Sequence, residues 1–548
     1  MTATSRLPIL WSIAGHDSGG GAGLSADQRA ADAMGVHLCP VVAAVTAQNS
    51  QGVQAVVPID ASTLEAQLAA LALDLPPRAI KTGLLGSVAA IKAVARWVDH
   101  FRAATPTGED PHRQLALVID PVLGASAGGA AFADPAVLGA YRKLLIPRAT
   151  VITPNRLEAA RLLAWPQASH ALDQGLLPEM ARQLQQMGAR GVVITGGDGA
   201  SAWCTSTTAH ALDWLLTPHA SGWLTAPRVD TFHTHGTGCT FASGVAAALA
   251  LGHVEADAVV LAKMLTHHAL SHSHAAGPGP GPVMAGSGFA TGPAHGGAPL
   301  PCLGLGEDLP WRLTQPAGDG LFQRFTPPAD GLYGIVPTAA RIHDALQAGW
   351  RCLQLRHKPA EGLHKHLNDS VQACSRFNAQ LFVNDHWREA LALSTASQPP
   401  LGLHLGQEDL LRMSADDHAL LLSARHRIML GLSSHSLWEL ARAAGCAPSY
   451  IACGPVQATT TKDMPWRPQG TDNLQWWITH SPAPVVAIGG LLTPADVQRF
   501  AANQPAALCV VRGMGEHHDD MAQTLEALRH AVTAGQLEAQ ERIPAPLP

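Results

Sequence analysis

The sequence predicts an α/β protein in two parts, a mainly parallel sheet with flanking helices in the N-terminal half and a (β/α)8 barrel in the C-terminal half. Three observations lead there. The chain has 548 residues, more than one ordinary core of about 100–250 residues holds. Short apolar runs alternate with stretches of helical spacing along both halves, the pattern of β-then-α units. Glycine and proline, about 17% of the chain against a usual ~12%, collect between residues 277 and 330. GPGPGP (277–282), AGSGFATGPAHGGAPLP (285–301) and TQPAGDG (314–320) carry few periodic apolar positions and several turn dipeptides. The expected units are therefore 1–285, a Gly/Pro-rich linker 286–327, and 328–548. The flanking halves share no repeat, so the chain reads as a fusion rather than a duplication.

Composition narrows the class of function. Hydrophobic residues are 47%, charged residues 14% and the net charge is −6, with no long block of one sign. That argues against general disorder and against a nucleic-acid-binding surface. Nine cysteines (39, 204, 239, 302, 352, 374, 446, 453, 509) form no C-x-x-C pair and no regular framework, so neither a disulfide scaffold nor a zinc ribbon is signalled. The N-terminus has one arginine and a short apolar run from Leu7 to Ala14, without the length or cleavage pattern of a signal peptide. No window approaches a membrane span. A cytoplasmic enzyme acting on small molecules is expected, with neither nucleic acid nor membrane as partner; a homo-oligomer is compatible with this composition.

In the first half, PILWSIA (8–14), LALVID (115–120), ATVIT (149–153) and GVVIT (191–195) are strand candidates. The first runs into GHDSGGGAGLSAD (15–27), whose glycines permit close backbone approach to an anion or flat ligand before a helix starts near Leu24. Such a turn also serves merely to reverse a chain. Further pieces follow in order at strand ends: TAQN (46–49), KTGLLG (81–86), DPVLGASAG (120–128), TPNRLEA (153–159) and HTHGTGCTFASG (233–244). In the last, Gly236 and Gly238 open a long apolar helix, so backbone N–H groups and the helix dipole face a phosphate. Cys239 lies in its first turn, where positive partial charge lowers a thiol pKa and suits a poised base or thiolate; the plain alternative is a small packing residue.

On these motifs the first half, from about 8 to 285, resembles the hydroxymethylpyrimidine and phosphomethylpyrimidine kinases of thiamine biosynthesis, in the ribokinase-like superfamily. The resemblance implies phosphorylation of hydroxymethylpyrimidine and then of its monophosphate, with ATP as co-substrate and magnesium. It makes Gly236, Thr237 and Gly238 the anion hole and Cys239 the catalytic residue. It places Asp27 and Gln48 in the pyrimidine site, with Gln48 on the ring, and Asn155 and Glu158 in an N-x-x-E pattern that organises magnesium. One departure is Thr195 in ITGGD, where many relatives carry a lysine.

In the second half eight runs are read as strands: LYGIV (332–336), CLQL (352–355), LFV (381–383), GLHL (402–405), IMLGL (428–432), YIAC (450–453), VVAI (485–488) and LCVV (508–511). Eight β-then-α units in this length fit a compact (β/α)8, or TIM, barrel, whose chemistry sits just after the strands. Those positions hold Arg356, Lys358, Asn384, Asp385, Gln407, Glu408, Asp409, Ser433, His435, Thr459, Thr461, Lys462, Gly489, Gly490 and Arg512. Singly, such an Asp reads as an N-cap and such a Lys as a solvated side chain. Together, cations, two carboxylates and a Gly-Gly pair on one rim describe a site for a metal-bound diphosphate and a second phosphate.

The strings QLRHK (354–358), VNDHW (383–387), HLGQEDL (404–410), GLSSHS (431–436), GPVQATTTK (454–462) and AIGG (487–490) resemble thiamine phosphate synthase over about 330–515. The resemblance implies that Gln354, Leu355, Arg356, His357, Lys358, Asn384, Ser433 and Lys462 hold the pyrimidine diphosphate, with magnesium on Asp385 and Asp409. Thiazole phosphate takes Thr459, Thr460, Thr461, Gly489, Gly490, Val511 and Arg512, the last standing where synthases usually carry a small hydroxyl residue. Competing readings are a pyridoxal-type kinase fused to a thiazole tautomerase-like barrel, or a regulatory protein with decayed sites. Among 28 histidines, His268 and His272 have i, i+4 spacing but no third ligand at a set distance, so capping or solvated roles are expected.

Overall fold

The computed structural model describes residues 6–104, 114–124, 133–165, 174–196, 210–315, 320–359, 361–394, 400–458, 467–515, 518–539 and 544–548. The chain forms two compact units: Met1–Pro301 with Gly306–Asp308 and Pro548, and Cys302–Leu305 with Leu309–Leu547.

In the first unit the described strands are β1 (Ile9–Asp17), β2 (His37–Asn49), β3 (Gly52–Pro58), β4 (Ala79–Thr82), β5 (Ala116–Ile119), β6 (Val151–Ile152), β7 (Gly191–Thr195), β8 (His210–Leu216) and β9 (Ser221–Pro227). They lie in the order β9-β8-β7-β6-β5-β4-β1-β2-β3. Pairing from β2 through β7 is parallel, and the edge pairs β2·β3, β7·β8 and β8·β9 are antiparallel. The central strands carry apolar side chains on both faces: Leu10, Ile13, Ile80, Leu117, Val118 and Ile119 are fully buried, as a sheet covered on two sides requires. The chain runs outward from β1 to β3, then returns to the other side of β1 for β4. A crevice opens at such a reversal, beyond the strand C-termini. Over it stands the helix Thr237–Leu251, all but apolar and backed by the equally buried helix Glu255–Ser271. On the latter, His268 and His272 stack at 4.1 Å, and His272 Nδ1 lies 2.8 Å from the His268 carbonyl.

In the second unit, after the two-residue strand β10 (Cys302–Leu303), come β11 (Leu332–Val336), β12 (Cys352–Leu355), β13 (Gln380–Asn384), β14 (Leu401–Leu405), β15 (Ile428–Ser434), β16 (Tyr450–Cys453), β17 (Val485–Ile488) and β18 (Ala507–Val510). These last eight close into a parallel barrel, β18 pairing back onto β11. Phe325, Phe382 and Tyr450 pack with ring centroids 5.0–5.9 Å apart inside it.

The segment expected to be a linker is built into both units. Its first part forms 3-10 turns at Ser287–Ala290 and Pro293–His295 and buries Phe289, Ala298 and Leu300. Its later part forms the short helix Trp311–Thr314 and buries Trp311, Leu321, Phe322 and Phe325. Turn-rich composition conceals a few widely spaced large apolar residues, and those residues supply the burial.

Candidate functional site

The crevice of the first unit is lined by the ends of β1, β2, β4 and β5. Asp17, the last residue of β1, accepts N–H bonds from Gly19, Gly21 and Ala22 at 2.8–3.0 Å, which winds the glycine-rich turn around its carboxylate. His235 Nε2 lies 2.9 Å from Asp17 Oδ2 and 3.2 Å from Gln48 Nε2. Since a carboxylate only accepts, His235 carries its proton on Nε2 and donates it to Asp17. Burial opposes ionisation of Asp17, but His235 and the loop N–H groups outweigh it and hold the carboxyl below its usual range. With the His235 proton directed at Asp17, Nε2 cannot also accept from the Gln48 amide; Gln48 is held instead by its backbone N–H, which donates to the Ser18 hydroxyl at 2.9 Å, and neither Asp17 nor His235 is singled out by the sequence reading.

The GPGPGP stretch also belongs here. Gly281 N–H donates to His233 Nδ1 at 3.0 Å, and His235 N–H donates to the Gly281 carbonyl at 3.1 Å. Next along the chain, Gly236 caps the Thr237–Leu251 helix at φ 87°, where a Cβ would collide with the Gly21 carbonyl. No side chain caps this helix, which leaves its first turn to an anion. Gly238 is exposed, and Thr237 Oγ1 donates to the Thr234 carbonyl at 2.7 Å.

Beneath Cys239 lies a buried charge cluster. Lys81 Nζ, with no exposed surface, donates to both Asp27 oxygens at 2.9 and 3.1 Å and lies 3.5 Å from Asp120 Oδ2. Ser12 and Ser243 hydroxyls donate to Asp27 at 2.6 and 2.7 Å. Asp27 therefore has no surface and no spare geometry for a pyrimidine; it anchors Lys81, which corrects its expected ligand role. Burial alone would lower the Lys81 pKa, but Asp27, Cys239 and Asp120 outweigh it and keep the ammonium charged. The Cys239 expectation changes too. Burial pushes the thiol up to about 12, against the pull of Lys81 and the Gly23 N–H, so at rest it is a thiol and not a thiolate; desolvation outweighs the helix dipole. Lys81→Met strands two buried carboxylates, and the unfolding transition of this unit should lose about 3–5 kcal/mol, read by denaturant titration with the synthase activity as internal control.

Asn155 and Glu158 form a capping box on the helix Arg156–Leu163: Asn155 Oδ1 accepts from Leu157 and Glu158 N–H, and Glu158 Oε2 accepts from Asn155 N–H at 3.0 Å. Glu158 Oε1 accepts from Leu123 N–H at 3.4 Å. The N-x-x-E spacing forms a helix cap here. Thr195 ends β7, with its N–H on the Pro154 carbonyl. A cation does reach this strand end from elsewhere: Lys263 Nζ lies 2.6 Å from Asp213 Oδ2, whose other oxygen accepts Gly196 N–H at 3.0 Å.

In the barrel, one polar chain crosses from strand to strand. Gln354 Nε2 donates to Asn384 Oδ1 at 2.9 Å, and Tyr333 donates to Gln354 Oε1 at 2.9 Å. Tyr450 lies 3.1 Å from the Tyr333 hydroxyl and 2.8 Å from His404 Nδ1, and Ser433 Oγ is 3.0 Å from His404 Nε2. With Tyr333 committed to Gln354, Tyr450 must donate to Tyr333, His404 Nδ1–H to Tyr450, and Ser433 to Nε2. Burial pushes His404 down to about 4, so the ring is neutral, as this order needs. With its oxygen taken by Gln354, Asn384 acts on the neighbouring Asp385 carboxylate through its amide N–H groups. Tyr333, His404 and Tyr450 are absent from the sequence-predicted site.

On the rim, Asp385 is exposed at φ 67°, an unusual conformation for a non-glycine residue that Asp tolerates at functional turns. Partial desolvation of its carboxylate within the turn and the neighbouring Asp409 carboxylate hold its pKa up, against Arg356. Asp409 accepts Gly406 N–H through Oδ2 at 3.0 Å. Two hard carboxylates that repel each other fit magnesium, which is bound by one or two carboxylates and keeps water or phosphate oxygens. Arg356 is partly exposed and Lys358 exposed, both available to an anion. His357 is different: its ring nitrogens meet the Pro337 and Glu361 carbonyls at 3.0 Å, so it staples the loop. The Leu355 side chain is core, leaving only its backbone to the site. Gly489 and Gly490 have φ 95° and 80°, and a Cβ on Gly490 would collide with Gln457. Val511 follows β18, and exposed Arg512 opens a 3-10 turn over Arg512–Met514. Thr459, Thr460, Thr461 and Lys462 lie outside the described residues.

Comparison with known proteins agrees with both halves. The chain matches the phosphomethylpyrimidine kinase family over residues 17–284 and the thiamine monophosphate synthase family over 332–514. It is 31% identical to the thiamine biosynthetic bifunctional enzyme of Arabidopsis thaliana over 509 residues, covering 90% of this chain and 87% of that protein. It is 39% identical to the hydroxymethylpyrimidine/phosphomethylpyrimidine kinase of Synechococcus elongatus over 267 residues, 49% of this chain and 93% of that one. Among solved structures, an ADP complex of Bacillus subtilis pyridoxal kinase is 32% identical, covers 51% of this chain and 98% of its own, and has a TM-score of 0.44. Matched to both families and to a relative across both halves, the chain belongs to the bifunctional thiamine biosynthetic enzymes, a phosphomethylpyrimidine kinase joined to a thiamine monophosphate synthase.

Proposed function

We propose that the first unit, with 1–285 as its catalytic body, phosphorylates hydroxymethylpyrimidine and its monophosphate with ATP at the β1/β4 crevice, and that the barrel, 328–548, couples the diphosphate to thiazole phosphate. The observation that carries the reading is that each half holds its reactive residues at strand C-termini, Cys239 over one crevice and the Asp385/Asp409 pair on the barrel rim. Cytoplasmic location stays part of the proposal; among the described residues no helix is long and apolar enough to cross a membrane.

In the kinase, Gln48, held by its backbone N–H on the Ser18 hydroxyl, orients the pyrimidine ring. The substrate hydroxyl then faces the first turn of the Thr237–Leu251 helix, where the N–H groups of Thr237, Gly238 and Cys239 receive the transferring phosphoryl oxygens. In the synthase, Gln354, Asn384 and Ser433 hold the pyrimidine while Arg356 and Lys358, with Lys462, neutralise the diphosphate. Asp385 and Asp409 hold magnesium, which when bound offsets charge on the departing diphosphate. As that bond breaks, the amino group of the ring stabilises the methylene cation, and the thiazole nitrogen captures it; no general base is required. Thiazole phosphate is placed against Gly489, Gly490 and the turn after β18, with Thr459–Thr461.

The test is stoichiometry: with hydroxymethylpyrimidine, excess ATP and no thiazole, two ADP should form per pyrimidine, and a halt at one would contradict the second phosphorylation. Arg512 gives a finer check. Exposed at the end of β18, it is positioned to bind the thiazole's phosphate. Arg512→Ala should raise KM for thiazole phosphate by an amount equivalent to about 1.5–3 kcal/mol and leave that for the pyrimidine diphosphate unchanged. Equal effects on both would place the guanidinium elsewhere.

A further inference from the structure

We propose that Asp120 is the terminal proton acceptor of the kinase, reached through the Cys239 thiol, with Lys81 holding both in place. This rests on the reading that Cys239 stands beside the transferring phosphoryl group. The cluster beneath that residue holds Lys81 and two carboxylates, with Arg29 acting on Asp27 and Cys239 and the buried Tyr141 hydroxyl near Asp120, and the carboxylates are not equivalent. Asp27 receives four hydrogen bonds, two from Lys81 and one each from Ser12 and Ser243. Asp120 is 6% exposed, and its Oδ2 has no hydrogen-bond partner; the Lys81 ammonium stands 3.5 Å off. Asp120 is therefore the less fully partnered carboxylate of the cluster, the one where a proton is more favourably received.

The thiol is arranged to deliver it. Cys239 is close enough to the Asp120 carboxylate and the Gly23 N–H for each to act on its thiol, so rotation of the S–H can bring it to Asp120 and leave a sulfur lone pair for the incoming proton. A thiol that is protonated at rest is a poor base alone but a competent relay. As the substrate oxygen attacks the terminal phosphorus of ATP, its O–H bond breaks and the proton passes to Sγ. The S–H proton passes to Asp120, and the phosphorus–oxygen bond to ADP breaks with its electron pair on ADP. Proton loss from Asp120 to solvent after product release restores the cluster. Burial already holds Asp120 above the ordinary carboxylate range, against Lys81, which makes it a better proton acceptor than an ordinary carboxylate. Asp120 and Lys81 touch no substrate in this scheme and are positioning residues.

Three measurements on the full chain separate the outcomes. Asp120→Asn should lower kinase kcat about 100-fold or more while KM for hydroxymethylpyrimidine stays within about 3-fold. Removing the negative neighbour should also lower the thiol pKa, so alkylation of Cys239 by iodoacetamide at pH 8, read at that residue by mass spectrometry, should speed up. A kcat near wild type, or alkylation no faster, overturns the relay. Should that variant not fold, the wild-type pH profile decides: a relay to a carboxylate gives a kcat that levels off above neutral pH, whereas a rise continuing about tenfold per unit beyond pH 9 makes the thiolate the base and overturns the proposal. Cys239→Ser restoring rate over Cys239→Ala supports the relay. Cys239→Ala at full rate removes Cys239 from the phosphoryl site, a separate failure that the Asp120 results cannot mimic.

Discussion

Cys239→Ala should lower kinase turnover by about 10²–10⁴-fold, the range of a lost acid–base group, while synthase activity on supplied pyrimidine diphosphate stays at the wild-type level. The thiol lies in the first turn of the Thr237–Leu251 helix, in contact with the Lys81–Asp120 cluster. The substitution removes a small side chain that is only partly enclosed, so the helix and its Gly236 cap should persist. Steady-state ADP release measures the first activity and thiamine phosphate formation the second. A near-normal ADP rate would make Cys239 a packing residue. A fall in both activities would mean that the change had unfolded more than one site.

Asp385→Asn and Asp409→Asn should each reduce synthase turnover by about 100-fold or more, the scale of losing a metal's stabilisation of leaving-group charge, which is worth several kcal/mol. Kinase activity should not move. The two carboxylates press on each other electrostatically, so removing either one weakens the site for a hard cation and relieves the other. Asp409 also caps its own helix through Gly406 N–H, a bond that asparagine's carbonyl can keep. The magnesium concentration for half-maximal rate should rise in both variants. If that dependence is unchanged in both, the cation is held elsewhere on the rim.

How much of this was legible in the sequence differs between the halves. Each of the eight barrel strands coincides with a short apolar run, because buried parallel strands need side chains that tolerate both faces. The rim residues follow from the strand ends. Tyr333, His404 and Tyr450 escape that logic: they sit inside the runs, where alternation turns them into the barrel interior, and only their hydroxyls and ring nitrogens within otherwise apolar strings mark them. In the first half, β8 and β9 are absent from the strand candidates because their antiparallel, local pairing lies outside the βα alternation, and β2, β3 and β4 are absent too, only the segments at the ends of β2 and β4 being marked, by TAQN and KTGLLG. Lys81 and Asp120 come from motifs singled out as strand ends, yet their cluster with Asp27 and Cys239 joins residues more than 200 positions apart. A buried charge at a strand end was the available signal. For Asp27 the resemblance and the geometry diverge, since its fully enclosed carboxylate anchors Lys81.

The central claim is that one chain makes the diphosphate and consumes it. The full-length protein should be incubated with hydroxymethylpyrimidine, ATP, magnesium and thiazole phosphate, and the products followed by chromatography. The account predicts thiamine phosphate and diphosphate, with pyrimidine diphosphate appearing in place of thiamine phosphate when the thiazole is left out. Accumulation of pyrimidine diphosphate in the presence of thiazole phosphate, or no phosphorylation of hydroxymethylpyrimidine at all, would contradict it.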